Sequence, residues 1–402
     1  MLKKAFILVI IVVIFCAQST AQEPKFETLI LPSLMDFDLD PWYKIPANSG
    51  PNLRQAEEVA QNQLISIFVL FSGYAIDSRN DINLTYDVQI FDPQGKPTED
   101  KGQGIVGYQG QAANADVLLL NQQIMRVMFT EDYPFGTYHI KVKAYDNVSG
   151  TTFTSTTPIK LLPFSVEFQF ADVDAANIWM MNYYQELSPQ KAIAALQSMI
   201  QPEPDWITKH LNILSFFSRV FADNPYLLNN IAKRFDSFSL EDQKRFILID
   251  HFVGENQLST YGQSDTFSDF SQQVQNISFP ALSDDISNPL QLDMLWSEFL
   301  ATGRYEPIKK IVSALALVKY KGTLDKIKQD KLELKDELKR DAYLDATYQS
   351  AVWSLLSNNK QMPLVNKYCH FIYQNEDLTD SVKQQLAMIL RRVQLDSTNK
   401  KQ

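Results

Sequence analysis

From about Leu64 to Phe170 hydrophobic and polar residues alternate with a period of two. Ile82, Leu84, Tyr86, Val88 and Ile90 interleave with Asn83, Thr85, Asp87 and Gln89, which predicts a strand with one face on a core and one in water. Asp92-Pro93-Gln94-Gly95 then predicts a turn. Apolar stretches follow at Ile105–Tyr108, Asp116–Leu120 and Ile124–Phe129, then an alternating run from Gly136 to Ala144, a loop at Asp146–Gly150 and a threonine-rich strand from Thr151 to Leu161. After Ala171 the period becomes 3.6. Ser188-Pro189, Asn224-Pro225, Ser239 with Asp242, and Asn288-Pro289 with a stop at Gly303 predict helix starts. The motif Asn-Pro-x-x-Leu-x-x-Ile/Leu-x-x-x-Phe occurs at 224–235 and again at 288–299, which predicts stacked helical hairpins with a third unit over 341–393, arranged as a solenoid or as a bundle. Asn256–Asn276 reads as a polar loop and Lys319–Asp341 as a solvated helix.

The chain ends of this pattern differ from its middle. Lys3 and Lys4 precede an apolar run from Ala5 to Cys16, and Ser19 and Ala21 occupy the small-residue positions of a cleavage site, so 1–21 reads as a secretory leader cleaved near Ala21. The run is too short for a bilayer span, and bulky Val13-Ile14-Phe15 before Cys16 disfavours lipidation. Prolines 24, 32, 41, 46 and 51 make 22–61 an extended arm. The expected organisation is therefore a leader (1–21), an arm (22–61), a β-sandwich (62–170) and an α-helical domain (171–397).

About seven short strands in about 100 residues fit an immunoglobulin-like sandwich. Gly136-Thr137-Tyr138-His139-Ile140-Lys141-Val142 resembles the tyrosine corner of that architecture, which transfers no activity. The blocks 292–303 (LDMLWSEFLATG) and 351–358 (AVWSLLSN) resemble the helical part of uncharacterised secreted bacterial proteins. That resemblance implies a helical domain and an envelope location, and no activity.

Composition narrows the chemistry. The 402 residues carry 37 basic and 47 acidic side chains, a net charge of −10, which argues against nucleic acid and anionic membrane surfaces. Loss of the leader leaves Cys369 as the single thiol, so no intrachain disulfide is expected. Asn83, Asn147 and Asn276 head Asn-x-Ser/Thr triplets that read as chance matches in a bacterial protein. Asp36, Asp38 and Asp40 open a calcium-loop pattern that lacks its glycine and its glutamate. The four histidines, at 139, 210, 251 and 370, show no metal-pair spacing, and no hydrolase, zinc-peptidase or phosphate-loop motif is present. Asp284, Asp285 and Glu298 are carboxylates without a discriminating context. No catalytic, metal or cofactor residue is assigned.

Aromatic residues make up 12% of the chain. Trp179, Trp206, Trp296 and Trp353 are expected to face inward, whereas Tyr145 and Phe153 offer either an exposed binding platform or a surface covered by the arm. The function expected is non-catalytic binding of another envelope protein, as a scaffold component, without a membrane span after cleavage. Carbohydrate or cell-wall binding by the sandwich, and glycoside cleavage by the helical domain, are the alternatives.

Overall fold

The computed structural model describes residues 25–34, 55–111, 118–201, 207–208, 210–280, 282, 285–330 and 335–399. The leader with Cys16, the calcium-like stretch at 36–40, most of the arm, Trp206 and Asp284 lie outside them. Among the described residues no helix is long and apolar enough to cross a membrane.

The N-terminal part is built from two sheets. In one, β3 (Leu64–Ser72) pairs antiparallel with β1 (Glu27–Ser33), β6 (Leu119–Leu120) and β7 (Met125–Met128). The other has the order β2 (Glu58–Ala60), β9 (Thr152–Leu162), β8 (Gly136–Asp146), β4 (Asp81–Phe91), β5 (Pro97–Gln111), with β2 parallel to β9 and the remaining neighbours antiparallel. The alternation decides which side is buried. Ile65, Ile67, Val69 and Phe71 of β3 share one core with Leu84, Tyr86 and Val88 of β4 and Tyr138, Ile140 and Val142 of β8.

The expected arm contains strands. β1 and β2 fall within 22–61, and Pro32 is tolerated because β1 is an edge strand that can spare its N–H. Polar residues on the inner side of β9 are matched by this segment. Ser155 shares a hydrogen bond of 2.8 Å with Thr28, and Thr157 accepts one of 2.8 Å from Gln55. At the other edge β5 is partly plugged: the Gln122 and Gln123 backbone N–H groups donate to Gly107 and Val106 carbonyls, while their side-chain oxygens accept from Gln109 and Val106 N–H.

Helices make up the rest: α1 (Val173–Asn182), α2 (Ala192–Met199), α3 (Leu211–Asp223), α4 (Tyr226–Ala232), α5 (Leu240–Val253), α6 (Ser259–Gly262), α7 (Ser268–Gln275), α8 (Pro289–Thr302), α9 (Tyr305–Ser313), α10 (Thr323–Asp330), α11 (Asp336–Gln361), α12 (Pro363–Asn375) and α13 (Asp380–Asn399). α8 begins and ends as its sequence predicts, with a reciprocal Asn288–Gln291 capping box and Gly303 in the left-handed conformation. Ser239 likewise caps α5.

Two predicted caps do other work. Ser188 accepts a hydrogen bond from Trp179 Nε1 at 2.9 Å and precedes a 3-10 turn, and Asn224 donates to Val220 O, closing the end of α3. Asn224-Pro225 therefore starts only a seven-residue helix, against fourteen residues after Asn288-Pro289, and the two matched motifs are not equivalent units. The expected loop 256–276 holds α6 and α7 because Phe267, Phe270 and Val274 return to one face and are buried. The expected single helix over 319–341 is broken at Gly322, whose φ is +89°. The third unit is three mutually packed helices, α11, α12 and α13, rather than a hairpin.

Candidate functional site

Tyr145 and Phe153 do not form one platform. Across the β8–β9 hairpin Tyr145 stands opposite Thr152 and Phe153 opposite Ala144. Ala144 is fully buried, so Phe153 is directed at the core, against which it packs half-buried, and Tyr145 is on the outer face. The parity of residues across the Asn147–Gly150 turn carries this distinction. Tyr145 is held in place: its hydroxyl donates to Asp87 Oδ2 at 2.6 Å, and Lys143 Nζ lies 5.1 Å from its ring centre. The hydrogen bond to Asp87 pushes the phenol above its ordinary range, since ionisation would set two anions together.

Of the carboxylates singled out in the helical part, Glu298 serves the framework. Arg219 holds Asp223 with two contacts, at 2.8 and 2.9 Å, and reaches Glu298 at 3.6 Å, tying α3 to α8. Burial holds the Glu298 carboxyl above its ordinary value, opposed by Arg219 and Arg304. A cavity of about 260 Å³ beside this network is lined by Tyr183, Asp223, Asn224, Thr302 and Arg304, together with Leu64 and Ser66 of β3. Asp223 enters that lining and Glu298 does not, so the two carboxylates grip one guanidinium instead of flanking an open site. Asp285 is exposed in the segment before α8.

Asp250 is buried and accepts hydrogen bonds from the N–H groups of Gln257 and Leu258 at 3.0 and 2.8 Å, which closes the turn after α5. Burial raises its pKa, the main effect there. Its neighbour His251 places Nε2 3.3 Å from the Ile277 carbonyl, so the pair does not converge on one point. Among the described residues no group of three or more His, Cys, Asp or Glu side chains could hold a metal ion. Cys369 is buried, and burial pushes its thiol up to about 12.

The tryptophans divide. Trp179 and Trp296 are buried as expected, but Trp353 is 71% exposed and Tyr343, on the same helix, is 63% exposed. Helix α11 buries Tyr348, Ala351, Leu355 and Asn359 along one side. Residues 343, 346, 350 and 353 lie on the opposite side in a stripe about 80° wide and about 15 Å long. Ala346 and Ser350 keep the stripe low between the two rings. The signal was present in the sequence, because Trp353 is out of phase with the buried i, i+3, i+7 set; aromatic character alone pointed inward.

No protein-family model matches the chain, and no curated protein matches it. Among solved structures it is similar to a family 123 glycoside hydrolase from Clostridium perfringens, at 7% identity over 42% of this chain and 34% of the hydrolase, with a TM-score of 0.19. A structural-genomics target matches at 16% identity over 37% of this chain and 93% of the other, also with a TM-score of 0.19. The chain thus spans about a third of the length of that hydrolase. Likeness this slight fixes neither fold nor activity.

Proposed function

We propose that the protein is a non-catalytic, protein-binding component of the bacterial cell envelope, exported by its leader, with an immunoglobulin-like sandwich formed by strands β1 to β9 and an α-helical domain over 171–397. The observation that carries the binding reading is the α11 stripe. Trp and Tyr dominate the energetics of protein interfaces, and a tryptophan left in water forgoes roughly 1.5–3 kcal/mol that burial would return. Two such rings on the outer side of the chain's longest described helix fit a surface that a partner covers.

The sandwich reading is supported by strand order. Taken as A (β1), B (β3) and E (β6 and β7) on one sheet, and A′ (β2), G (β9), F (β8), C (β4) and C′ (β5) on the other, the pairings follow the immunoglobulin-like pattern. The Tyr138 hydroxyl donates to Pro134 O at 2.8 Å, the upstream backbone contact of a tyrosine corner. The leader pattern and the likeness to uncharacterised secreted proteins support an envelope location.

Trp353→Ser combined with Tyr343→Ser tests the reading. The double variant keeps its circular dichroism and unfolding midpoint, since neither ring is in the core, and loses the partner that copurifies with the wild-type chain from the native envelope. Retention of that partner by the folded variant, or a wild-type chain that reproducibly purifies alone, contradicts it.

A further inference from the structure

The outer face of the larger sheet groups side chains that the α11 stripe does not involve. Its registers set side chains in rows: Lys101, Gln89, Lys141 and Thr156 in one; Asp87, Lys143 and Thr154 in the next; Thr85, Tyr145 and Thr152 in the third. Strand spacing puts Lys101 and Lys141 about 10 Å apart, and Lys141 and Lys143 follow each other on one strand at about 7 Å. All three lysines are exposed, and among the described residues none forms an ion pair, whereas Lys160 on the same sheet is paired with Glu58 at 3.7 Å.

The acid within these rows is engaged elsewhere. Asp87 spends one oxygen on the Tyr145 hydroxyl and the other on the Gly104 N–H. Glu99 lies at the rim, in the bulged stretch between the pairs Gln89–Lys101 and Phe91–Pro97. Thr152, Thr154 and Thr156 present exposed hydroxyls that form no hydrogen bond among the described residues. The face is thus locally cationic on a chain of net charge −10, and it combines ammonium groups, hydroxyls and one fixed, half-exposed ring.

We infer that this face binds a carboxylate-bearing polysaccharide: Lys101, Lys141 and Lys143 take the carboxylates, Thr154 and Thr156 take sugar hydroxyls, and Tyr145 supports a sugar ring. Charge complementarity selects an anionic ligand, and its density selects the class. Three lysines without an arginine suit a polymer with one charge per sugar, while the acidic remainder of the molecule repels densely charged chains such as nucleic acids. The Asp87 clamp fixes the Tyr145 ring before the ligand arrives, which lowers the ordering cost of binding.

Affinity electrophoresis of the full chain through gels containing polygalacturonate, neutral dextran, heparin or single-stranded DNA tests this. Wild-type protein is retarded by polygalacturonate at low salt and not by dextran. Lys141→Gln with Lys143→Gln weakens the retardation at least tenfold, Thr154→Val with Thr156→Val weakens it severalfold, and Lys326→Gln with Lys328→Gln, which removes the same charge from α10, leaves it unchanged. Absence of binding to polygalacturonate, binding confined to heparin or DNA, or equal retardation of the Lys141/Lys143 variant overturns the inference. None of these outcomes depends on the α11 partner.

Discussion

Tyr138 shows what one hydroxyl contributes. Its ring packs 4.5 Å from Phe129 and 6.0 Å from Tyr133, and its OH reaches back to Pro134 O. Tyr138→Phe keeps the ring and removes the bond, so stability falls by about 1 kcal/mol. A urea midpoint that drops with an unchanged slope verifies this, and an unchanged midpoint refutes it. Glu298 gives a pH dependence. Burial raises its carboxyl above the ordinary 4.5, so the folded protein holds this proton more tightly than the unfolded chain does. Its contribution is fully present below that ordinary value and is lost as pH rises through the folded value. The stability of wild type minus that of Glu298→Gln therefore decreases as pH is raised from about 4 to about 7; an increase would mean that attraction to Arg219 outweighs burial. At this scale the sequence was least legible. Trp353 differs from Trp179, and Phe153 from Tyr145, in phase, and phase becomes readable only when the neighbouring buried positions are known.

Secondary-structure elements were more legible, because alternation and capping are local. β4, β8 and β9 lie where period two puts them, and Ser239 and Asn288 cap the helices they precede. Failures have physical causes. The first half of β5, Pro97–Gly104, is a polar edge with register shifts and no apolar alternation. Ser188 and Asn224 are drawn away from capping by Trp179 Nε1 and Val220 O, partners set by packing. The polar composition of 256–276 hides Phe267, Phe270 and Val274, which are enough to fold two short helices. The contrast between the Asn-Pro starts is measurable. Asn288→Ala removes a side-chain acceptor for Gln291 N–H at 3.1 Å and costs about 1 kcal/mol in chemical denaturation. A loss near zero would show that α8 is held by packing alone.

For the whole molecule, the segment between the sheets and the helices is fixed by aromatic contacts. Phe164 is buried in the helical core, edge-on to Tyr226 at 6.1 Å and under the Arg234 guanidinium at 5.5 Å; Phe170 meets Trp179 at 5.9 Å; and Lys233 pairs with Glu131. Phe164→Ala opens this anchor at a cost of about 3 kcal/mol to the helical part, and limited proteolysis within 163–171 accelerates. Unchanged cleavage would show that the segment is held without Phe164. The switch from strands to helices was legible from the change of period near Ala171, whereas the anchor depends on which phenylalanine meets which partner.

Protein binding through α11 is tested most directly by placing a photo-crosslinking amino acid at Trp353 or, as a control, at exposed Lys326 on α10, and irradiating the full chain in its native envelope. The account predicts one discrete crosslinked protein from position 353 and none from position 326. The same products from both positions, or no product from 353, would contradict it.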